Sequence, residues 1–237
     1  MNPTSVKPRT PPIDPMADDD RKSYPSLSSS PPAYKETADA RPTSSSSTST
    51  STAAPVKTLH VYHFPAANFQ RAHVIKSADK FTVEYTVTYH TRNPFSSGSA
   101  ADILVYRDGV VGDVILHTFS TKIHCSTVES DGVKRPLVLK PAGALSSSFR
   151  TDFGRMGGSV VWKATMKDTS MWSWGNLKLV EEGTGRVIAR FMSSQHKSVK
   201  KVGRFELWGE KTEDPEWVTA VVTTGLGLLE WDRRLRT

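Results

Sequence analysis

The stretch "FTVEYTVTYH" (81–90) alternates without a break, placing Phe81, Val83, Tyr85, Val87 and Tyr89 on one face and Thr82, Glu84, Thr86 and Thr88 on the other. A period of two is the signature of a half-buried strand. In "ILVYRDGVVGDVILHTF" (103–119), Asp108-Gly109 sits between two apolar runs and predicts a hairpin. Similar runs predict strands at 121–127, 136–140, 144–153, 159–166, 176–182, 186–193 and 203–208. The turn "EEGTGR" (181–186) separates two of them, and "GRMGGS" (154–159), between flanking strands, reads as another hairpin turn. Many short strands with turn residues between them predict a mainly β domain, a sandwich or a barrel.

The period changes once. "DPEWVTAVVTTGLGLLEWDRRLR" (214–236) opens with Asp214 as N-cap and Pro215 at the first helical position. Thirteen uncharged residues separate Glu216 from Glu230, and Arg233, Arg234 and Arg236 follow, favourable at a helix C-terminus. The apolar positions go round this helix, 214–231, and form no single stripe, which predicts burial on all sides. As a membrane anchor it falls short: thirteen residues rise about 20 Å, against roughly 30 Å of hydrocarbon. A small barrel fills itself with side chains, whereas a wider one needs a plug, and a helix about 10 Å across suits that role.

Composition divides the chain near residue 56. Residues 1–56 hold ten of the 15 prolines and the uninterrupted Ser/Thr run from Thr43 to Thr52, while every Phe and Trp lies later. Such a tail cannot bury enough surface to offset ordering, so it is expected to be disordered. Residues 57–237, about 180 of them, are enough for one domain. The tail is charge-neutral, so the domain carries the whole +7 through 25 basic and 18 acidic residues. That balance favours anionic partners. Cys125 is the single cysteine, which excludes an internal disulfide and fits a reducing compartment. Asp18, Asp19 and Asp20 stand where a signal peptide would be apolar, so the expected location is cytoplasmic, peripheral at a membrane if anywhere.

The ordered fragments "SFRTDF" (148–153), "VVWK" (160–163), "LKLVEE" (177–182) and "VIARF" (187–191) resemble the tubby C-terminal-like superfamily. That group includes fungal tubby-like, plant LURP-one-related and phospholipid scramblase proteins. The terminal "TTGLGLLEWDRR" (223–234) looks most like the fungal branch. The resemblance implies a closed antiparallel barrel of about twelve strands around a hydrophobic C-terminal helix, and lipid contact through basic surface residues. Scramblase-type proteins also carry proline-rich tails with a PPxY motif, but their cysteine-rich palmitoylation stretch has no counterpart here.

Two clusters carry candidate chemistry. Pro31, Pro32, Ala33 and Tyr34 spell Pro-Pro-x-Tyr, whose prolines pre-form the extended helix that an aromatic groove in a WW domain reads. The expected partner is a WW-containing HECT-type ubiquitin ligase, with Lys22, Lys35 or the domain's surface lysines as ubiquitin acceptors and Ser30 as a phosphorylation candidate. The competing account of the motif is the composition of a proline-rich linker. In "HKSVKKVGR" (196–204), Lys197, Lys200, Lys201 and Arg204 are expected on a hairpin loop that contacts anionic phospholipid. The competing account of this run is a solvated loop. No aromatic residues interleave it, so nucleic acid is not expected.

Catalytic patterns are absent from the sequence. The glycines of 154–159 lack the Gly-Lys-Ser/Thr of a phosphate loop. His60 and His63, three apart, diverge on a strand, as do adjacent His124 and Cys125. No enzyme activity, metal or cofactor is therefore expected, and Trp162, Trp172, Trp174 and Trp208 read as packing residues. The expected function is a binding or adaptor protein, with the barrel on lipid and the tail on a ligase. The alternative is a scramblase-like membrane protein, with helix 214–231 leaving the barrel for the bilayer.

Overall fold

The structure, a computed structural model, describes residues 53–65, 71–90, 100–117, 120–143, 146–165, 176–194 and 198–236. The Pro31-Pro32-Ala33-Tyr34 motif, Lys197, Trp172 and Trp174 lie outside these residues. Twelve strands occur in chain order: β1 (Lys57–Pro65), β2 (Arg71–Lys76), β3 (Val83–Tyr89), β4 (Ile103–Tyr106), β5 (Val110–Leu116) and β6 (Ile123–Val128), then β7 (Lys134–Pro141), β8 (Phe149–Asp152), β9 (Ser159–Ala164), β10 (Leu177–Glu181), β11 (Val187–Ser193) and β12 (Lys201–Leu207). Each pairs antiparallel with the next, and β12 pairs with β1, so the sheet closes into a barrel. One helix, α1 (Pro215–Leu235), follows. The mainly β class, the closed barrel of twelve strands and the C-terminal helix are as the sequence led us to expect.

Closure leaves no strand edge unpaired, and inward-facing side chains alternate with outward ones along each strand. The interior holds α1, and every residue from Trp217 to Leu228 is buried. Asp214 caps the helix by accepting a hydrogen bond from Glu216 N at 2.8 Å. Two features let so polar a helix enter an apolar barrel. Two of its three threonines turn their hydroxyls onto the helix and onto the wall, while the buried Thr223 hydroxyl has no partner among the described residues. Thr224 donates to Ala220 O at 2.7 Å and lies 3.1 Å from Trp162 Nε1, whose N–H donates to it. Thr219 donates to Pro215 O at 2.7 Å, with the Tyr85 hydroxyl 3.2 Å away. Second, Gly225 and Gly227 let the wall approach closely. A β-carbon at Gly225 would lie 2.7 Å from the Phe205 ring, and one at Gly227 would lie 3.2 Å from Val114. The glycines that weaken this segment as a membrane helix are what fit it to the barrel.

Several boundaries depart from expectation for local reasons. β3 begins at Val83, not at 81, because the Asp79 carboxylate accepts from Phe81 N, Thr82 N and the Ser77 and Thr82 hydroxyls, which ties 77–82 into a turn. Phe81, expected on the buried face, is therefore 85 % exposed. β8 begins at Phe149, not near 144, since Ser146 Oγ accepts from Ser148 N and Ala142 N donates to Ser148 O. α1 runs one turn beyond 231, where Arg233 and Arg234 return to Glu230. Strands β1 and β2 complete the barrel and were not among the strands that alternation marks out. The Asp108-Gly109 hairpin forms as expected, with Asp108 at a left-handed φ of 57°, and "GRMGGS" connects β8 to β9.

Candidate anion-binding face

The pairing of β12 with β1 and β2 assembles the candidate site on the outside of the barrel. Inward positions of β1 are taken by Leu59 and Val61, both fully buried, so His60 and Tyr62 alternate to the outer face. His60 is in register with Arg204 on one side and Lys76 on the other. One step along, Tyr62 is in register with Lys201 and Val74, across a bulge that shifts the β1–β12 pairing between Val61 and Tyr62. Lys80 joins from the β2–β3 turn and Lys200 from the β11–β12 connection, whose main chain is tied to β1 by His63 N donating to Lys200 O at 2.9 Å. Five cations thus converge on one face: Lys76, Lys80, Lys200, Lys201 and Arg204.

The electrostatics are those of like charges held together. Partial burial pulls the Lys201 ammonium below its ordinary range, and Arg204 and Lys80 add to the effect. His60, buried beneath the cluster, is held below its usual value first by burial and then by Lys201, Lys80 and Arg204. Its Nδ1 has no hydrogen-bond partner among the described residues. Arg204 pairs with Glu206 at 2.8 Å, but none of the four lysines makes a salt bridge among the described residues. Asp79 is the nearest acid in sequence. Its hydrogen bonds from the Ser77 and Thr82 hydroxyls and from the amides of Phe81 and Thr82 hold its carboxyl well below the usual range. Its oxygens are occupied by the turn.

Beside these cations runs a groove of about 660 Å³. Tyr62, Phe64, Pro65, Val74 and Val199 supply most of its lining, joined by His63, with Lys76, Lys80 and Lys200 completing it. Phe64 is 50 % and Val199 94 % exposed, so large apolar side chains border the charged ones in solvent. Phe81 and Val83 extend the exposed apolar edge past Lys80.

The residues expected to meet lipid are brought together in part. Lys200 lies in the connection as anticipated, but Lys201 and Arg204 belong to β12 itself and not to a projecting loop. Lys76 and Lys80 were missed. Their only local signal is a pair of lysines flanking the turn residues of "KSADK" (76–80), and nothing short of barrel closure links them to residue 200.

A second charged cluster closes the barrel mouth at the C-terminal end of α1. The Glu230 carboxylate, 3 % exposed, meets Arg71, Arg233 at 2.8 Å and Arg234 at 3.1 Å. Arg234 also reaches Asp102 at 3.0 Å, and the Asp102 carboxylate accepts from Leu116 N at 2.8 Å. Burial alone would push the Glu230 carboxyl up. The hydrogen bond from Arg233 and the charge of Arg71 outweigh it and bring the group down to about 2. Beside them Tyr89 lies under the Arg71 guanidinium at 3.8 Å, and its hydroxyl is 2.9 Å from His73 Nδ1. Burial, with Arg71 and His63 beyond it, lowers His73 to about 3. The carboxylates and guanidiniums pair with one another, leaving Arg71 Nε and His73 Nε2 without a hydrogen-bond partner among the described residues, and the cluster acts as a seal.

The remaining candidates separate. Cys125 is buried against α1, its thiol pushed up by burial and by Asp113, while His124 packs edge-on to His117 at 5.0 Å. His63 meets His73 at 5.1 Å and His60 meets Tyr62 at 6.3 Å, so the two β1 histidines have different surroundings. Among the described residues, no group of three or more His, Cys, Asp or Glu is placed to hold a metal. Trp162 and Trp217 are fully buried, and the Trp208 N–H donates to Ala53 O at 2.9 Å. A scan against profiles of protein families, a search of curated proteins and a search of solved structures each return no significant match.

Proposed function

We propose that this protein is a non-enzymatic adaptor whose barrel docks on anionic phospholipid, at the cytoplasmic surface of a membrane, through the outer face of β12, β1 and β2. The observation that carries the reading is the convergence of Lys76, Lys80, Lys200 and Lys201, without acidic partners among the described residues, beside exposed Phe64 and Val199. Like charges that crowd one another cost free energy until an anion arrives, and exposed apolar side chains at the same place gain from the interfacial layer. Each lysine near an anionic surface contributes about 1 kcal/mol. The resemblance to tubby-like proteins points the same way.

The tail completes the adaptor. Pro31, Pro32 and Tyr34 recruit a WW-domain ubiquitin ligase to whatever membrane the barrel occupies. The scramblase-like alternative would have to draw α1 out of the barrel. No helix among the described residues is long and apolar enough to cross a membrane.

Co-sedimentation with vesicles tests the barrel. Full-length protein should pellet with vesicles containing phosphatidylserine or phosphoinositide and not with pure phosphatidylcholine. The combined K76E, K80E and K201E variant should stay in the supernatant while melting at or above the wild-type temperature. Equal pelleting of variant and wild type would refute the reading. A fluorescent peptide spanning 25–40, titrated against WW domains beside its Tyr34→Ala counterpart, tests the tail. Binding that Tyr34→Ala abolishes is the expected result.

A further inference from the structure

We infer that the groove beside the cations holds the acyl chain of one lipid, so that the site takes a single-chain glycerophosphate lipid with its phosphate among Lys76, Lys80, Lys201 and Arg204. This rests on the lipid reading above and names the ligand within it. A purely electrostatic face needs no cavity, yet this one has about 660 Å³, inside the range of roughly 300–1,000 Å³ usual for small-molecule sites.

The layout separates the two ends of such a ligand. At one end, the row Arg204, His60 and Lys76, with Lys80 and Lys201 close enough to act on His60, concentrates positive charge. Moving along β1, the character changes within a few residues to Tyr62, then Phe64 and Pro65, with Val74 from β2 and Val199 from the β11–β12 connection. From the row of His60 to that of Phe64 is about 13 Å, at roughly 3.3 Å per strand residue. The lining therefore runs lengthwise from a charged end to an apolar one. Over that length a sugar or a peptide backbone would find mainly the Tyr62 hydroxyl and the His63 ring to hydrogen-bond, set among Phe64, Pro65, Val74 and Val199. A hydrocarbon chain needs neither. Lys200, at the far rim, can lay its aliphatic stem over the chain and keep its ammonium in water. An inositol headgroup with several phosphates would use the charged end and leave the apolar end empty, whereas one phosphate on one chain uses both.

The two contributions can be measured apart. The probes are lauroyl-glycerol 3-phosphate below its micelle concentration, glycerol 3-phosphate alone, and dodecyl maltoside as a chain without a phosphate. Binding to the full chain is followed by NMR through the His60 ring and the Val74 and Val199 methyls. Each buried methylene strengthens binding roughly fourfold, so three or four of them should make the lauroyl lipid about a hundredfold tighter than glycerol 3-phosphate. Both phosphates should move the His60 resonance, and the lauroyl lipid alone should also move the valine methyls. Val74→Trp, which fills the groove, should abolish the hundredfold gain and leave the glycerol 3-phosphate response at His60 intact. Should that variant fold poorly, Val199→Asp on the exposed connection provides the same test. Equal affinities for the two phosphates would overturn the inference, as would a gain that survives both variants. The outcome is separable from membrane docking. Vesicle binding without the chain-dependent gain rejects only the acyl groove. A chain-dependent gain without vesicle binding rejects only the membrane reading.

Discussion

The barrel carries two clusters of arginine and lysine that differ in what surrounds them. At the mouth, Arg71, Arg233 and Arg234 close around Glu230 and Asp102, with both carboxylates almost wholly removed from water. On the outer face, Lys80, Lys201 and Arg204 act on one another and on a buried histidine, with Lys76 and Lys200 lining the groove beside them. Burying an ion pair contributes little net stability, but breaking one leaves an uncompensated charge and is costly. Crowding like charges in solvent is mildly unfavourable and is relieved by a ligand or by mutation. The same residue types therefore hold the fold shut in one place and stand ready for a partner in the other. Substitutions in the two places should change stability with opposite signs.

The largest effect is expected at the mouth. Glu230→Ala removes the acceptor of three arginines and should cost about 3 kcal/mol in urea denaturation, the low end for a buried pair because the arginines reach water. Retention of full stability would mean that the mouth cluster is ornamental and that α1 is held by its apolar contacts alone.

The same cluster should set the acid limit of the fold. His73 titrates near its ordinary 6.5 when unfolded and at about 3 when folded, so the unfolded chain takes up its proton first. Stability from this group is complete above pH 6.5 and is lost as pH falls from there toward 3. Glu230, depressed from 4.5 to about 2, adds a further loss below pH 4.5. Partial entry of water should limit the His73 share to about 2 kcal/mol. Urea midpoints measured between pH 7 and 5 should therefore fall in the wild type and fall less in His73→Gln, which keeps a partner for the Tyr89 hydroxyl and leaves only a residual loss from His60, also held below its usual value by burial.

Packing around α1 gives the next effect. At Gly225 an alanine gains up to about 1 kcal/mol of helix propensity but must displace the Phe205 ring, at roughly 1–3 kcal/mol, so a net loss of about 1 kcal/mol is expected. Gly183→Ala, where an added methyl meets nothing, should stay within about 0.5 kcal/mol. A stable Gly225→Ala would show that the helix has room to shift within the barrel.

What could be read from the chain follows the range of the interactions involved. Ten of the strands were legible because each carries its own alternation or a turn such as Asp108-Gly109, and α1 because Asp214, Pro215 and the run to Glu230 are local. β1 and β2 were not, for "KTLHVYHFP" and "RAHVIK" bury their polar residues His60 and His73 and so blur the pattern. Phe81 misled because one carboxylate, Asp79, overrides the alternation. Of the outer cluster, the part within 200–204 was visible as a charge run. Lys76 and Lys80 were not, since more than a hundred residues and the β1–β12 seam stand between the two halves. Equally hidden was the partnership of Arg71 with Glu230. A charge in the sequence does not say whether its neighbour in space is an acid or another base.

That distinction is sharpest in the smallest expected effect. Lys201→Gln removes a cation that partial burial, and then Arg204 and Lys80, disfavour, so stability should be unchanged or rise by up to about 0.5 kcal/mol. Lys134→Gln removes the same charge but orphans Asp113, its partner, and should lower stability by up to about 1 kcal/mol. On vesicles the order reverses. Lys201→Gln should weaken anionic-vesicle binding about fivefold, near 1 kcal/mol, and Lys134→Gln should leave it unchanged. If both substitutions weakened binding equally, net charge alone would govern docking. If neither did, the outer cluster would be a solvated surface, and its crowding would have to be explained without a ligand.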